Sequence, residues 1–401
     1  MDSLTQIILG AAVGEIVLGK KIGNRALVWG AVGGTIPDLD VIGGMFLSPI
    51  AELAAHRGFS HSIVFAIIGA FVFGYGTQAI YESRYYKYIA SLGWLLLPIG
   101  VLYFLRRFLD IELFGINAII FVIIIGISGW LLFRRYFSHK PSIPATSAKD
   151  WQWLMFWAIF THPLLDCFTT YGTQLFQPFS DYRVAFCSVS VADPIYTLPF
   201  LLCVIGISIL SRNNAKRRIL AITGIVISSA YLLLGVYNKS QVNTIWKTSL
   251  AEAEVDYSRY MTSPTLLNNV LWYCLAETED GYYFGQYSFW DKEEKVLMEF
   301  IPRNQELLNA NMEEDEIIKT LRWFSNDYFA ITGTEEKGNL SFNDLRFGVS
   351  KNRKGERHFI FNFPLVRTNS GSYDITGSNG GPPPGEEQDM LNQLWTRIKG
   401  I

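Results

Sequence analysis

Long apolar runs separated by short polar links fill the first 237 residues of the chain. A membrane-spanning helix needs about 20 apolar residues. Seven runs approach that length: 26–47, 62–81, 86–105, 113–133, 151–167, 193–210 and 219–237. An earlier run, from Leu4 to Leu18, would extend only about 22 Å as a helix and is either half-inserted or a short, tilted span. The pattern predicts a mainly α fold in which residues 1–237 form a polytopic membrane domain with about seven or eight membrane helices.

Residues 238–401 follow a different pattern. A polar stretch to about Tyr260 is followed by short aromatic-rich runs such as 282–284 and 358–363, which are broken by Gly, Asn and Asp. Residues 370–385 are rich in Gly, Ser and Pro, which predicts a loop before a last short helix. We therefore expect a soluble α+β domain over residues 238–401.

Charge divides the chain at the same place. Residues 1–237 contain 17 Lys and Arg against 12 Asp and Glu, a charge of +5, whereas residues 238–401 contain 17 against 24, a charge of −7. The sum is the net charge of −2, and neither half has the large basic excess of a nucleic-acid-binding protein. We expect the lipid bilayer and no nucleic acid as partner, and the sequence predicts no particular protein partner.

The basic residues of the links predict the orientation of the membrane domain. Counted on alternate sides of the predicted spans, Lys and Arg number thirteen on one side and four on the other. Cytoplasmic loops carry the excess of Lys and Arg, so the first set is predicted to be cytoplasmic. The same alternation sends the domain from residue 238 onward to the extracytoplasmic side.

Ionisable residues at membrane depth are costly, which makes each of them a candidate functional residue. Six of them fall in three short motifs. They are Asp38 and Asp40 in Thr35–Asp40, His56 and His61 in His56–Ser62, and His162 and Asp166 in Thr161–Asp166. The predicted topology places all three motifs on one outer face. His and Asp side chains are donors that Zn²⁺, Mn²⁺ and Fe²⁺ accept, so we predict a site for one or two divalent ions, with zinc as the first candidate.

Other polar residues have two interpretations each. Asp40 is either a ligand or a general base. Glu15, within the first apolar run, is a general base or added ligand, or it pairs with Lys20 or with another helix. Arg57 and Arg183 are outward cations that bind an anionic substrate group, since guanidinium binds phosphate in a bidentate manner, or that bind lipid headgroups.

At these motifs the sequence resembles the YdjM-type family of bacterial inner-membrane proteins, which are predicted metal-dependent hydrolases. The match rests on Pro37–Asp40, on His56–Ser62, and on Thr161–Asp166 with Thr169 and Gly172. It spans about residues 1–200. The family is similar to zinc-dependent phospholipase C-like enzymes, which implies a helical scaffold with His and Asp ligands and a location in the bacterial inner membrane.

Carried over by position, the resemblance implies a metal-site set and places Thr169 beside Arg57 and Arg183 as a substrate-binding residue. The implied set is Asp38, Asp40, His56, His61, His162 and Asp166. Many family members have a His in their N-terminal motif where this chain has Gln6. Whether Gln6 or Glu15 takes the place of that ligand stays open.

These expectations combine into one predicted function. A metal-activated water would attack a phosphoester or other ester of a lipid or envelope substrate, in a membrane-embedded hydrolase. The alternative is a non-enzymatic protein, which would be either a transporter whose acids and imidazoles line an ion path or a metal-binding scaffold whose tail binds a partner.

Overall fold

The computed structural model describes residues 1–93 and 143–308, and with short gaps residues 126–134 and 315–401. Within these residues the chain is helical up to Glu252 and mostly β from Arg259 onward. The predicted domain boundary at residue 237 falls inside one continuous helix, Lys216–Glu252, which is about 55 Å long. This helix therefore carries the chain directly from the membrane half into the tail.

Eight helices before residue 253 are described over their full length. They are α1 (Ser3–Ile22, with a π-helical turn at Glu15–Gly19), α2 (Asn24–Thr35), α3 (Asp40–Gly44), α4 (Pro49–Ala55), α5 (Ile63–Glu82), α6 (Ala148–Asp166), α7 (Pro194–Ile209) and α8 (Lys216–Glu252). Two 3₁₀ turns, Pro37–Leu39 and Phe59–His61, precede α3 and α5.

Short polar side chains begin several of these helices, as local capping rules require. Asp2 accepts a hydrogen bond from the Thr5 backbone N–H at the start of α1, and Ser62 accepts one from Phe65 at the start of α5. The side chain of Asp193 accepts two backbone N–H bonds at the start of α7. These caps fix the helix ends that later bring polar groups together.

The prediction of seven or eight membrane helices is wrong for the described residues. Only α1, α5 and α8 among them are long and apolar enough to cross a membrane. The run at 26–47 breaks after Thr35, because Pro37 lacks the N–H that would continue the helix. The run at 193–210 forms α7 of only 16 residues. The predicted spans at 86–105 and 113–133 lie largely outside the described residues.

Glycines allow α1 and α2 to pack with their backbones in contact. A Cβ atom at Gly10 would overlap the carbonyl oxygen of Gly30, and one at Gly14 would overlap that of Ala26. Small residues spaced four apart permit this close approach between membrane helices. The contact places the N-terminal half of α1 directly against the C-terminal end of α2.

The tail contains helices and two antiparallel sheets, in agreement with the predicted α+β fold class. The first has the order β1 (Arg259–Pro264), β2 (Leu271–Glu277), β3 (Gly281–Ser288), β4 (Glu299–Pro302). The second has the order β5 (Phe329–Thr332), β6 (Leu340–Lys351), β7 (Arg357–Arg367), β8 (Tyr373–Ile375), with β9 (Asn379–Gly380) also paired to β7. Helix α9 (Glu316–Phe324) precedes β5, and α10 (Glu387–Ile398) follows the sheets.

Two helices of the first half are built into the hydrophobic cores of the tail. Near its C-terminal end, α8 packs Trp246 against Trp272 of the first sheet. The short helix α4 places Leu53 in the core of the second sheet, together with Leu321 and Phe324 of α9. The tail therefore lies over the end of the helical bundle at which α4 is found.

Candidate metal centre

Four donor atoms from three parts of the chain converge at one end of the bundle. They are Asp38 Oδ1, His61 Nε2, His162 Nε2 and Asp166 Oδ2, and all lie within 4.8 Å of one another. Each histidine nitrogen lies 3.2–3.5 Å from both carboxylate oxygens, and the two nitrogens are 3.2 Å apart. Ligands at about 2.0–2.1 Å from a tetrahedral ion would be separated by about 3.3–3.4 Å. The separation of the two histidine nitrogens and their separations from the carboxylate oxygens therefore match those expected around a tetrahedral divalent ion.

Helix ends position these four side chains. Asp38 lies in the 3₁₀ turn after α2, and His61 ends the 3₁₀ turn before α5. His162 and Asp166 lie one turn apart on the same face of α6. His61, His162 and Asp166 are fully buried, whereas the Asp38 side chain is 18% exposed. The centre is therefore open to its surroundings on the Asp38 side.

The second ring nitrogens of the two histidines are held by polar groups outside the cluster. His162 Nδ1 lies 2.6 Å from the carbonyl oxygen of Gly34, which only accepts hydrogen bonds. This nitrogen therefore carries a proton, and Nε2 faces the centre, where its lone pair would bind an ion. His61 Nδ1 lies 3.0 Å from Ser60 Oγ and 3.6 Å from Asp40 Oδ2. A carbonyl or carboxylate on the far nitrogen is the usual arrangement for metal-binding histidines.

One oxygen of Asp166 lacks a hydrogen-bond partner although it is buried. Asp166 Oδ1 accepts a bond from Gln6 Nε2 at 3.1 Å, contacts the Met1 nitrogen and lies 3.5 Å from Arg57 Nη2. Among the described residues no group donates a hydrogen bond of good geometry to Asp166 Oδ2, which lies 3.2 Å from His162 Nε2 and 3.4 Å from His61 Nε2. A buried charged oxygen that accepts no hydrogen bond is costly, and a cation at the centre would compensate its charge. The residues present thus fit a bound divalent ion.

Asp40 and His56, which the sequence also predicts as ligands, lie beside the four-donor set and do not belong to it. Asp40 accepts hydrogen bonds from the Arg57 backbone N–H at 3.0 Å and Ser60 Oγ at 3.3 Å, and it lies 3.3 Å from His56 Nδ1. Burial tends to raise the pKa of the Asp40 carboxyl, but its bonds to His56 and Arg57 hold this pKa below its usual value. Asp40 therefore orients His56 and His61 from outside the centre.

Arg57 and Thr169, predicted as substrate-binding residues, are both buried next to Asp166. Arg57 Nη1 donates to Thr169 Oγ1 at 2.8 Å, and Thr169 Oγ1 donates to the Asp166 carbonyl oxygen at 2.8 Å. Arg57 also has a left-handed backbone, with φ of 56°, a conformation that costs free energy in a non-glycine residue. In this structure both side chains hold Asp166 in place.

Arg183, predicted as an outward cation, instead connects the site to the tail. Its guanidinium donates to the carbonyl oxygens of Tyr171 and Gly172 at 3.2–3.3 Å. It also lies over the rings of Trp323 and Phe324 of the tail, at 5.1 Å from each centroid. Burial lowers the pKa of Arg183 to about 10. These contacts could not be predicted from the sequence, because they join residues about 140 positions apart.

Glu15, the predicted general base, is not part of the cluster. Its carboxylate forms a bidentate ion pair with Arg217 of α8, at 2.9 Å and 2.5 Å, and Arg217 also donates to the Ile207 and Leu210 carbonyl oxygens. Nine residues of helix, about 13 Å, separate Glu15 from Gln6 at the cluster. Of the alternatives open from the sequence, pairing with another helix is the one observed.

The sequence interpretation missed two groups that support the site, the Gly34 carbonyl and the Tyr171 ring. Gly34 belongs to the spaced glycines of α2, so a search for small residues four apart would have indicated that its backbone meets another helix. Tyr171 contacts both His56 and Arg57. It lies between two motif residues, Thr169 and Gly172, but no local pattern marks an aromatic ring as a contact to a distant domain.

Comparison with known proteins identifies a family that the chain matches. A family model described as YdjM inner membrane protein matches residues 1–116 and 118–242, which is more than half of the chain and includes all four donors of the cluster. No curated protein and no solved structure matches the chain.

Proposed function

The chain belongs to the YdjM inner membrane protein family, and from this premise we propose that it is a membrane-embedded, metal-dependent hydrolase. Its substrate would be a phosphoester or other ester of a lipid or envelope molecule. Asp38, His61, His162 and Asp166 would hold the ion, with zinc as the first candidate and manganese or iron as alternatives.

The observation that carries this proposal is the convergence of four donor atoms within 4.8 Å of one another, among them Asp166 Oδ2, which accepts no hydrogen bond of good geometry from the described residues. A divalent ion held there would lower the pKa of a coordinated water and supply a hydroxide nucleophile near neutral pH. Structural zinc sites are built mostly from cysteine. A set of two His and two Asp with one partly exposed carboxylate is closer to the donor sets of catalytic sites.

The accessible side of the centre carries the groups that would contact a substrate. Of the four donors, Asp38 has a side chain that is 18% exposed, whereas His61, His162 and Asp166 are fully buried. Beside them, the side chains of Asp40 and His56 are 10% and 28% exposed. His56 is oriented through Nδ1 by Asp40, which leaves Nε2 to exchange a proton with a substrate atom. Arg57 keeps positive charge beside Asp166 and the edge of the site.

We further propose that the protein spans the bacterial inner membrane several times, with the metal centre and the tail on the extracytoplasmic side. The count of Lys and Arg supports this orientation. Arg217, near the start of α8, forms the ion pair with Glu15. Tyr231, further along α8, donates a hydrogen bond of 2.7 Å to the Asp193 carboxylate at the start of α7. Thr197 near the start of α7 contacts Thr5, so α8 runs toward the end of α1 that holds the cluster.

A metal-binding scaffold is the second candidate, because four protein donors would fill the coordination of a tetrahedral ion. The spacing of the four donors supports a structural ion as well as a catalytic one. The two differ in one property: a catalytic ion keeps a position open for water, whereas a structural ion does not.

A transporter is less well supported. An ion path would have to continue from the cluster along α1 toward Glu15. In that stretch the backbones of α1 and α2 are in direct contact at Gly10, Gly14 and Gly30, which leaves no channel between these two helices.

The experiment combines metal analysis with an activity assay. Full-length protein in detergent would be loaded with Zn²⁺ or Mn²⁺, freed of excess metal and incubated with an envelope lipid extract, with and without EDTA. Asp166→Asn would be the test variant and His358→Ala, in the tail, the control. Stoichiometric metal with EDTA-sensitive cleavage supports the hydrolase, and metal without cleavage supports the scaffold. Wild-type protein that retains no metal contradicts both.

A further inference from the structure

The helix that leads into His56 is shared between the membrane half and the tail. Helix α4 ends at Ala55, and the His56 N–H bonds to the Glu52 carbonyl oxygen at 2.8 Å. Leu53 of this helix is 9% exposed and is packed with Ile318, Leu321 and Phe324 of α9. Because α4 has fewer than two full turns of its own, its position depends on packing, and these tail side chains supply apolar contacts to its buried Leu53. A shift of α9 would therefore shift His56.

Tyr171 forms a second connection between the same two regions. Its ring lies 5.2 Å from the His56 ring and 5.1 Å from the Phe324 ring, in edge-to-face arrangements. The guanidinium of Arg57 lies over it, 5.0 Å from its centroid. The tyrosine ring is thus in contact with two residues of the site and with the last residue of α9.

The positive charge of Arg183 strengthens this connection. Arg183 lies 4.8 Å from the Tyr171 centroid and 5.1 Å from those of Trp323 and Phe324. Cation–π contacts of a partly desolvated guanidinium are favourable, and three rings share this one. The loop that follows Asp166 is therefore attached to the C-terminal end of α9.

From these contacts we propose that the tail is a positioning element of the site, in which α9 holds His56 and Arg57 through Leu53 and Tyr171. Its effect on reaction rate rests on the proposed hydrolase function, but the positioning itself does not. All four proposed metal donors lie between Asp38 and Asp166, outside the tail. The tail would accordingly be needed for the reaction and not for binding of the ion.

Hydrogen–deuterium exchange on the full-length, metal-loaded protein tests the positioning directly. Leu53→Ala removes the contact from the helix side and leaves the packing among α9, β5 and β6 in place. Phe324→Ala removes it from the tail side. Both variants are expected to raise exchange in residues 49–62 by about tenfold or more and to leave exchange in α6 unchanged. Phe300→Ala, in the first sheet, is the control and is expected to leave residues 49–62 unchanged.

Two further readouts separate positioning from general destabilisation. Metal content of Leu53→Ala is expected to equal that of wild type, while EDTA-sensitive cleavage of envelope lipid falls at least tenfold through kcat. Tyr171→Phe is expected to behave as wild type, because it retains the ring that contacts His56, Arg57 and Phe324. Unchanged exchange in residues 49–62 in Leu53→Ala would overturn the proposal. Absence of cleavage in the wild type would overturn only the hydrolase.

Discussion

His162 Nδ1 donates a hydrogen bond of 2.6 Å to the carbonyl oxygen of Gly34. The bond fixes the tautomer and the orientation of the imidazole, so that Nε2 faces Asp38, His61 and Asp166. It forms only because α2 lies close to both α1 and α6. The packing of three helices thus determines the direction of one metal-binding lone pair.

Replacement of Gly34 by alanine should disturb this arrangement. The added Cβ would lie 2.6 Å from the Gln6 carbonyl oxygen and 3.1 Å from Gly10 Cα, both in α1, so the helices must separate. We expect Gly34→Ala to weaken metal binding by about 10- to 100-fold, the range for loss of a supporting group around a metal ligand. Competition with a chelating dye measures the change.

Gly76→Ala is the matched control, because a Cβ at this helical position meets no atom within 4 Å. Its metal affinity should equal that of the wild type. Equal affinity in Gly34→Ala as well would show that the orientation of His162 does not depend on this contact.

Asp40 should contribute to metal affinity without being a ligand. Its Oδ2 lies 3.6 Å from His61 Nδ1 and also accepts the Arg57 N–H bond. We expect Asp40→Asn to lower metal affinity by about tenfold, whereas His61→Ala should abolish stoichiometric binding. A complete loss of metal in Asp40→Asn would instead assign Asp40 to the ligands.

Glu15 and Arg217 should stabilise the bundle and have no role at the metal centre. Loss of one partner of a buried ion pair leaves the other charge uncompensated and costs about 3–5 kcal/mol. Glu15→Gln should therefore lower stability to thermal or denaturant unfolding in detergent, with metal content per folded molecule unchanged.

The double variant Glu15→Gln with Arg217→Met should be less destabilised than the sum of the two single variants. Recovery will be partial, because Arg217 also binds the Ile207 and Leu210 carbonyl oxygens at the end of α7. Strict additivity would contradict a direct ion pair.

The sequence alone predicted that three separate motifs meet at one end of the helices. This prediction needed only the order of the apolar runs and the positions of ionisable residues within them, both of which can be read along the chain. It did not separate Asp38 from Asp40, because both lie in one short turn and only tertiary packing decides which carboxylate faces inward. The partner of Glu15 lies 202 residues away, and that of Tyr171 lies in the tail. Such long-range contacts leave no periodic pattern in a single sequence.

Among the described residues, the number of membrane helices was overestimated for a related reason. Apolar composition extends through 26–47, but Pro37 and the polar groups of Asp38 and Asp40 end α2 and turn the chain toward the metal centre. Hydropathy detects the apolar residues and does not detect the break. The motif Pro37–Asp40, which ends α2, also supplies the donor Asp38.

X-ray absorption spectroscopy of the purified, metal-loaded protein would determine whether Asp38, His61, His162 and Asp166 hold a divalent ion. The zinc form is expected to hold one ion per chain with nitrogen and oxygen ligands at about 2.0–2.1 Å and scattering from two imidazole rings, and His162→Ala, like His61→Ala, is expected to hold no stoichiometric zinc. A wild-type protein without stoichiometric metal, or a spectrum without imidazole scattering, would contradict the proposed site.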